Sequence, residues 1–283
     1  MIIMYIAVAS GKGGTGKTLV STSLALSTGK CTYVDLDVEE PNGAIFLKPK
    51  IQQEITYSVS VPEINEEVCT FCEICAKSCT FNALAIIPSL KKAVCFSDLC
   101  HSCGVCAYTC PVDGALKEVE KGIGKIRTGK SGPVKFIEGR LNVGQPSGVP
   151  LISGIIDHYL DMDELLFVDS SPGTSCPVVE SLKKSDYVIL VTEPTPFGLS
   201  DLKLTVELVK KLGKDTGIIV NKDNGRKNII DDFAHETKIP VILKIPYSMD
   251  IQQAYSKGIP LIESQPQLKK TFNRIIAGIT REK

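Results

Sequence analysis

Three features are missing from the sequence: an excess of charge of either sign, a long apolar run and a secretion signal. Lysine plus arginine and aspartate plus glutamate each number 32 in 283 residues, so the formal net charge is zero. A balanced charge argues against bulk attraction to nucleic acid or to an anionic membrane. No stretch approaches the roughly 18 apolar residues that a transmembrane helix needs. We therefore expect no nucleic-acid partner and no membrane partner.

The N-terminus does not resemble a secretion signal, because residues 2–9 are typical of a buried strand that runs directly into a glycine loop. The 11 cysteines are therefore expected to lie in a reducing cytoplasm and not to pair as disulfides. Histidine is scarce, with three residues. His158 and His235 belong to no catalytic or metal-binding pattern, and His101 is expected in a loop.

Eight of the cysteines repeat one spacing, C-x2-C-x2-C-x3-C, in two runs. The first run is Cys69, Cys72, Cys75 and Cys79, and the second is Cys100, Cys103, Cys106 and Cys110. This is the bacterial ferredoxin pattern, in which three close thiolates bind one [4Fe–4S] cluster and the fourth binds the other cluster. The expected ligand sets are Cys69, Cys72, Cys75 and Cys110 for one cluster, and Cys100, Cys103, Cys106 and Cys79 for the other.

Other interpretations of the cysteines are less favoured. Structural zinc usually separates two C-x2-C pairs by a longer loop, and a strict triplet spacing crowds a tetrahedral site. Cysteines that are merely buried and inert would have no reason to repeat this spacing. The first run has Thr80 where the second has Pro111, which leaves the ligands unchanged. Cys31, Cys95 and Cys176 lie outside both runs, and we expect them to be structural.

A phosphate-binding motif opens the chain. Residues 10–18 read Ser-Gly-Lys-Gly-Gly-Thr-Gly-Lys-Thr between an apolar strand and a segment of helical composition. This is the Walker A context, in which backbone N–H groups and a helix N-terminus surround phosphate oxygens. Lys17 is expected to reach the β- and γ-phosphates, and Thr18 to hold Mg²⁺. The remaining loop residues expected to contact the nucleotide are Gly11, Lys12, Gly13, Gly14, Thr15 and Gly16.

The lysine at position 12 makes the motif resemble the deviant Walker class that contains MinD, ParA, the nitrogenase iron protein and the Mrp-type cluster-carrier ATPases. The resemblance implies that Lys12 crosses the interface of an ATP-dependent homodimer and contacts the partner's nucleotide. It also implies that Asp37 orients the attacking water and that Asp169 holds Mg²⁺ through water. Asn221 then stands where this class reads the adenine base.

The order of the elements predicts an α/β fold with a doubly wound, mostly parallel sheet of the P-loop NTPase type. Strands are expected near 2–9, 31–36, 165–169, 187–192, 217–221 and 241–245. Helices are expected near 17–28, 150–161, 176–184, 200–212, 228–237, 250–257 and 266–280. Apolar spacing in the last helix favours core packing over membrane binding.

The cysteine region interrupts this pattern. We expect a first ATPase part at 1–59, an inserted small α+β ferredoxin-like domain at 60–120, and a second ATPase part at 121–283. The insert leaves through the loop that begins after Asp37, at the sheet edge where nucleotides bind. A nucleotide-dependent shift of that loop could then move the clusters.

The second ATPase part is expected to begin with a hairpin at 121–149 around a turn at 129–133. A solvated hairpin is favoured over a docking face for an acidic protein. Single-stranded nucleic acid would require aromatic platforms, and this stretch offers one, Phe136.

The whole chain resembles MinD-superfamily ATPases that carry an inserted ferredoxin domain. The resemblance implies an ATP-hydrolysing homodimer with two [4Fe–4S] clusters and Mg²⁺. Its nucleotide state would gate electron transfer to a redox or metallocofactor-maturation partner. The alternatives are a scaffold or carrier for metal clusters, and an ATPase for spatial positioning.

Overall fold

The computed structural model describes residues 4–160 and 165–281. The chain divides into two compact units. The larger unit takes in the described residues up to 55, then 126–140, and those from 152 onward. The smaller unit consists of residues 56–125 and 141–151. Residues 2 and 3 of the expected strand 2–9 lie outside the described residues, as does position 161 of the expected helix 150–161.

The strands of the described residues are β1 (Met4–Ala9), β2 (Thr32–Leu36), β3 (Lys50–Ile64), β4 (Leu84–Ile87), β5 (Lys92–Cys95), β6 (Leu116–Ser131), β7 (Val134–Leu141), β8 (Leu165–Ser170), β9 (Tyr187–Thr192), β10 (Asp215–Asp223) and β11 (Val241–Pro246). The helices are α1 (Lys17–Thr28), α2 (Gly43–Leu47), α3 (Ile74–Lys77), α4 (Val105–Thr109), α5 (Val149–His158), α6 (Cys176–Leu182), α7 (Pro196–Lys211), α8 (Ile229–Thr237), α9 (Met249–Ser256), α10 (Leu261–Ser264) and α11 (Gln267–Arg281). The six strands and seven helices expected from the sequence are therefore present.

A nine-stranded sheet is ordered β11-β10-β9-β1-β8-β2-β7-β6-β3. Each neighbouring pair from β11 to β7 is parallel. Strands β1 and β9 are buried along their whole length, as expected for strands of a parallel sheet that is covered on both faces. The mostly parallel α/β fold predicted from the sequence is confirmed.

Alternate residues of β1 face opposite layers of helices. The Tyr5 hydroxyl donates a hydrogen bond of 2.5 Å to the carbonyl of Ser181 in α6. Ile6 belongs instead to a core cluster with Leu24 of α1 and Phe272 of α11. Because neighbouring side chains of a strand point to opposite faces, helices cover both sides of the sheet.

The C-terminal helix α11 packs into the larger unit through one apolar face. Phe272, Ile276 and Ile279 are buried there, and α11 contacts α1. This packing accounts for the apolar spacing of the segment. Among the helices of the described residues, none is both long enough and apolar enough to cross a membrane.

The segment after the cysteine runs departs from expectation. Its second strand, β7, lies within the sheet between β2 and β6, and Val134, Phe136 and Glu138 on it are buried. The prediction of a solvated hairpin at 121–149 is therefore wrong for this strand. Glu138 can be buried there because its charge is balanced inside the fold, where its Oε1 accepts from Arg127 Nη1 at 2.9 Å and from Arg140 Nε.

In the smaller unit, β4 and β5 form an antiparallel pair in which Leu84 faces Cys95 and Ile87 faces Lys92. Two short helices, α3 and α4, each begin within a cysteine run and contact each other. The expected domain junctions at 59/60 and 120/121 fall inside β3 and β6, and the compact units divide at 55/56 and 125/126 and again at 140/141 and 151/152.

Helix α8 provides a test of local stability, because Asn228 closes its N-terminus with a capping box. Its side chain accepts from Ile230 N–H at 3.0 Å, and Asp231 accepts from Asn228 N–H at 2.9 Å. Replacing Asn228 with alanine should cost about 1 kcal/mol, which is a roughly fivefold faster exchange of the α8 amide hydrogens. Ser248→Ala is the control, since Ser248 precedes α9 without a side-chain cap bond. Equal effects of the two substitutions would contradict the assignment.

Candidate functional site

The glycine loop joins β1 to α1 and turns at two glycines. Gly14 and Gly16 have φ angles of 79° and 96°, in the left-handed region that glycine enters without steric penalty. Gly16 directly precedes α1, which begins at Lys17. The first N–H groups of a helix lack intrahelical acceptors and favour an anion. The geometry suits the phosphates of a nucleotide.

Asn221, near the end of β10, holds this loop in place through a hydrogen bond. Its Nδ2 donates 2.8 Å to the Thr15 carbonyl, and its Oδ1 accepts from the Lys222 N–H at 2.9 Å. A Cβ atom at Gly16 would collide with the same amide. The buried Thr15 hydroxyl has no hydrogen-bond partner among the described residues. Asn221 therefore shapes the phosphate loop, and its expected contact with adenine stays a prediction.

Lys17 lies between two carboxylates from different strands. Its Nζ is 2.7 Å from Asp169 Oδ1 and 3.2 Å from Asp37 Oδ2. The side chain of Lys17 is 6% exposed and that of Asp169 is 0% exposed. A buried charge needs such partners, because removing an ion from water is costly. The structure thus brings together Lys17, Asp37 and Asp169, three residues that the sequence predicts for one site.

The pKa values of Lys17 and Asp37 both rise in a buried cluster in which two or more acids share the single ammonium group of Lys17. Burial by itself lowers the pKa of Lys17, but Asp169 and Asp37 outweigh burial and the net shift is upward. Burial raises the pKa of Asp37, and Lys17 only partly offsets that rise because Asp169 opposes it. The two upward shifts are consistent with each other. The lysine has several anionic neighbours, which stabilise its charged form, whereas each acid shares one cation with the others.

Asp35 and Tyr33 belong to the same cluster, although the sequence reading assigned them no role. Asp35 is fully buried, and it accepts from the N–H groups of Asp37 at 3.1 Å and Gly43 at 2.8 Å. Burial, reinforced by Asp169, raises the pKa of Asp35 well above its usual range. The Tyr33 hydroxyl donates 3.2 Å to Asp169 Oδ2. Asp35 therefore holds both ends of the loop that carries Asp37, and Tyr33 fixes the Asp169 carboxylate.

The loop after β8 is attached to the glycine loop and to β2. Gly173 N–H donates 2.8 Å to the Ser10 carbonyl, and its φ of 94° favours glycine. The Ser171 hydroxyl donates 3.2 Å to the Leu36 carbonyl. The loops that follow β1, β2 and β8 thus meet at the carboxyl ends of neighbouring parallel strands, where ligands of such sheets bind.

A cleft with an empty volume of about 990 Å³ opens above these loops. Its lining includes seven of the predicted residues, Lys12, Gly13, Gly14, Gly16, Lys17, Thr18 and Asp37. Gly11 lies behind the loop, where a Cβ atom would collide with Asp201. Lys12 and Thr18 are half-buried at the cleft.

A second cavity, of about 790 Å³, adjoins the cleft. It is lined by Asn221, Pro246 and Tyr247 among others, and it is more apolar than the cleft. Both cavities contain Gly14, Gly16 and Tyr255 in their walls. Together they offer a polar region for phosphates and a more apolar region for a base.

In the smaller unit, two cavities are each lined by four cysteines. One contains Cys69, Cys72, Cys75 and Cys110, and the other contains Cys79, Cys100, Cys103 and Cys106. The fourth cysteine of each run lies in the cavity of the other run. This grouping is the one that the spacing predicts for two clusters, whose binding stays a prediction.

The backbone of the two cysteine runs adopts one conformation twice. The second residue after the first cysteine, Phe71 or Ser102, has a φ of 54° or 55°. The residue after the second cysteine, Glu73 or Gly104, has a φ of 64° or 71°. Left-handed residues are uncommon outside glycine and concentrate at functional sites. Such turns direct N–H groups into concavities that bind anions, Fe–S sites among them.

The cysteine sulfurs receive backbone hydrogen bonds. Phe71 N–H donates to Cys69 Sγ and Ser102 N–H donates to Cys100 Sγ, each at 3.4 Å. Ala83 N–H donates to Cys79 Sγ at 3.3 Å. These donors suit thiolates more than thiols, so the chemistry of both sets fits metal-bound sulfur.

Without a cluster, burial raises the pKa of Cys106 to about 11, so a free thiol is the stable form there. Across residues 4–160 and 165–281, no three histidine, cysteine, aspartate or glutamate side chains converge where they could hold one metal ion. In a cubane, by contrast, each of the four cysteines binds a separate iron atom. The binding of a cluster by either four-cysteine set stays a prediction.

The remaining cysteines lie elsewhere. Cys95 is half-buried in β5, opposite Leu84, and Cys31 is fully buried with its Sγ 3.5 Å from the Ala25 carbonyl. Cys176 is exposed at the start of α6. None of these three lines either four-cysteine cavity.

The buried lysine makes a testable prediction. Lys17→Met should lower the free energy of unfolding by about 3–5 kcal/mol, because it leaves Asp37 and Asp169 buried without their cation. The pKa of Asp37, which burial already raises, then rises further, and the folded state binds more protons than the unfolded state. Its stability therefore falls as the pH rises from 5 to 8. Thermal melting across that range measures the effect.

The matched control is Lys30→Met, since Lys30 is exposed. It should melt within a few degrees of the parent at each pH. If Lys17→Met melts like this control, or shows no extra dependence on pH, the buried ion pairs do not stabilise the fold.

Comparison with known proteins agrees with this site. The family model described as the CobQ/CobB/MinD/ParA nucleotide-binding domain matches residues 6–261. An uncharacterised protein of Methanocaldococcus jannaschii is 31% identical over 268 residues, covering 90% of each chain. The iron-sulfur cluster carrier protein of the same organism is 26% identical over 160 residues, or 47% of this chain and 55% of the relative.

Among solved structures, the septum site-determining protein MinD of Pyrococcus horikoshii, complexed with Mg-ADP, superposes with a TM-score of 0.58. The two sequences are 19% identical, and the match covers 98% of each chain. This likeness concerns the fold. The family match extends over most of the chain and contains the glycine loop, Asp37, Asp169 and Asn221. The protein therefore belongs to the CobQ/CobB/MinD/ParA family of nucleotide-binding proteins.

Proposed function

We propose that this protein is an ATP-hydrolysing homodimer whose nucleotide state gates electron transfer from two [4Fe–4S] clusters to a redox or metallocofactor-maturation protein. The observation that carries the proposal is the pair of four-cysteine cavities in a chain that also builds the Lys17 site. Clusters bound there would supply one-electron transfer. In this proposal the segment 60–120 is a ferredoxin-like domain inserted between the ATPase parts 1–59 and 121–283.

Each residue of the nucleotide site receives a role in this proposal. The glycine loop binds the phosphates through its N–H groups, and Lys17 turns from Asp169 and Asp37 towards the β- and γ-phosphates. Thr18 and Asp169 would hold Mg²⁺, which neutralises phosphate charge. Asp37 orients the attacking water. Hydrolysis of this kind depends mainly on positioning and on charge stabilisation.

An ATP-dependent dimer is supported by Lys12 at the cleft and by an exposed apolar pair on α7. Lys12 lines the cleft without an ion pair among the described residues, so its ammonium is available to a second nucleotide. On α7, Phe197 and Leu204 are 77% and 54% exposed. They stand seven residues apart on one helix face, an apolar pair suited to a protein interface.

Electron transfer is favoured over cluster delivery because both cysteine sets are complete. A transferable cluster usually occupies an exposed, incomplete site, whereas here only Cys72 and Cys103 of the eight cysteines are exposed. Delivery remains the second candidate, and the similarity to an iron-sulfur cluster carrier protein supports it. Transfer of the clusters to an apoprotein would favour delivery. Spatial positioning predicts that cellular function survives the loss of the cysteines.

Metal analysis tests the cluster sites. Anaerobically purified protein should contain about eight iron atoms per chain, as two [4Fe–4S] clusters require. Cys103→Ser should lower this to about four, because Cys103 lines only one of the two cavities. Cys176→Ser is the matched control, an exposed cysteine outside both cavities, and should retain the iron. Zinc in place of iron, or equal iron in all three proteins, would overturn the assignment.

Electron paramagnetic resonance tests the coupling between nucleotide and clusters. The spectrum or potential of the reduced protein should change on addition of Mg-ATP. Lys12→Ala should abolish both this change and ATP-dependent dimerisation, measured by light scattering, while Lys30→Ala should abolish neither. Identical spectra with and without ATP would mean that the nucleotide site and the clusters act independently, which would refute gating.

A further inference from the structure

Tyr255 occupies an unusual position beside the nucleotide cleft. It lies in α9, and its side chain belongs to the walls of both the cleft and the adjoining cavity. The other two residues common to both walls, Gly14 and Gly16, have no side chain. Among the described residues that line the two cavities, Tyr255 is therefore the one side chain at their junction.

The ring of Tyr255 is supported from behind. Its centroid lies 5.0 Å from that of Phe46, with an angle of 33° between the ring planes. Phe46 is 4% exposed and belongs to α2, whose first residue, Gly43, is bonded to the buried Asp35. Offset aromatic pairs of this spacing are attractive. Tyr255 is thus held in place although 42% of its surface is exposed.

The hydroxyl of Tyr255 stays protonated at neutral pH. Burial raises its pKa, and the negative charge of Asp169 raises it further, whereas Lys17 and Lys222 act in the opposite direction. A neutral phenol both donates and accepts a hydrogen bond. Its chemistry suits a ligand that carries hydroxyl groups.

If a nucleotide places its phosphates on the glycine loop and its base in the adjoining cavity, the sugar that joins them lies beside Tyr255. We propose that Tyr255 contacts the sugar of the bound nucleotide and positions the nucleoside relative to the phosphates. This inference rests on the proposed ATP site, and it assigns a residue for which the glycine-loop motif gives no signal.

A single-tryptophan variant provides the first test. The chain contains no tryptophan, so Tyr255→Trp creates one emitter at the junction. Its fluorescence should shift or be quenched on addition of Mg-ATP and change little with Mg-tripolyphosphate, which has no nucleoside. Gln253→Trp places the emitter on an exposed position of the same helix and should respond to neither ligand.

Affinity provides the second test. Tyr255→Ala should weaken Mg-ATP about tenfold and leave Mg-tripolyphosphate within twofold of the parent. In ATP hydrolysis the loss should appear in KM with kcat nearly unchanged, because the contact is away from the reacting phosphate. Gln253→Ala should match the parent with both ligands, which shows that α9 tolerates substitution.

The outcomes separate this inference from the proposed function. If the parent protein binds neither Mg-ATP nor Mg-tripolyphosphate, the nucleotide site itself is wrong. If the parent binds both and Tyr255→Ala weakens both equally, or weakens neither, Tyr255 does not contact the nucleoside. A loss in kcat at constant KM would also contradict the proposal.

Discussion

The nucleotide site depends on one buried ammonium among several carboxylates. Lys17 bonds to Asp169 and Asp37, and Asp35 lies in register with Asp169 on the neighbouring strand. Charges this deep persist only when they are paired and hydrogen-bonded. The glycine loop places the lysine, the adjacent parallel strands place the acids, and the serine and glycine bonds between the loops keep them together. A phosphate ligand would compete with the acids for the same lysine.

Most of the larger unit could be predicted from sequence because strands such as β1 and β9 are mostly apolar and helices such as α11 are amphipathic. Strand β9, residues 187–192, could be predicted from its composition alone. Strand β3 escaped prediction because its start reads Lys50-Ile-Gln-Gln-Glu54, a polar segment at the sheet edge with no clear period. The burial of strand β7 was missed because basic residues such as Lys135 and Arg140 suggested solvent, whereas arginine partners neutralise the buried Glu138.

The two kinds of site differ in how far local spacing determines them. The cysteine grouping followed from spacing, because three members of each set are close in sequence and the repeated left-handed turns are local. Tyr255, by contrast, approaches the glycine loop across more than 230 residues and lies outside the glycine-loop motif. Tyr33 and Asp35 are alternate residues of β2, so the sequence predicts that both point to the same face of the sheet. Their hydrogen bonds could not be predicted, because the partners Asp169 and Gly43 come from other parts of the chain.

The bond between Asp35 and Gly43 has a consequence for how the chain tolerates changes in the smaller unit. It closes the Asp37 loop onto the sheet before the polypeptide departs through β3 into the smaller unit at residue 56. The hydrogen bonds that fasten the Asp37 loop are therefore complete upstream of residue 56, whereas Asp169 joins the cluster from β8, downstream of the smaller unit. Changes in the length or sequence of the smaller unit would therefore leave this fastening of the Asp37 loop in place.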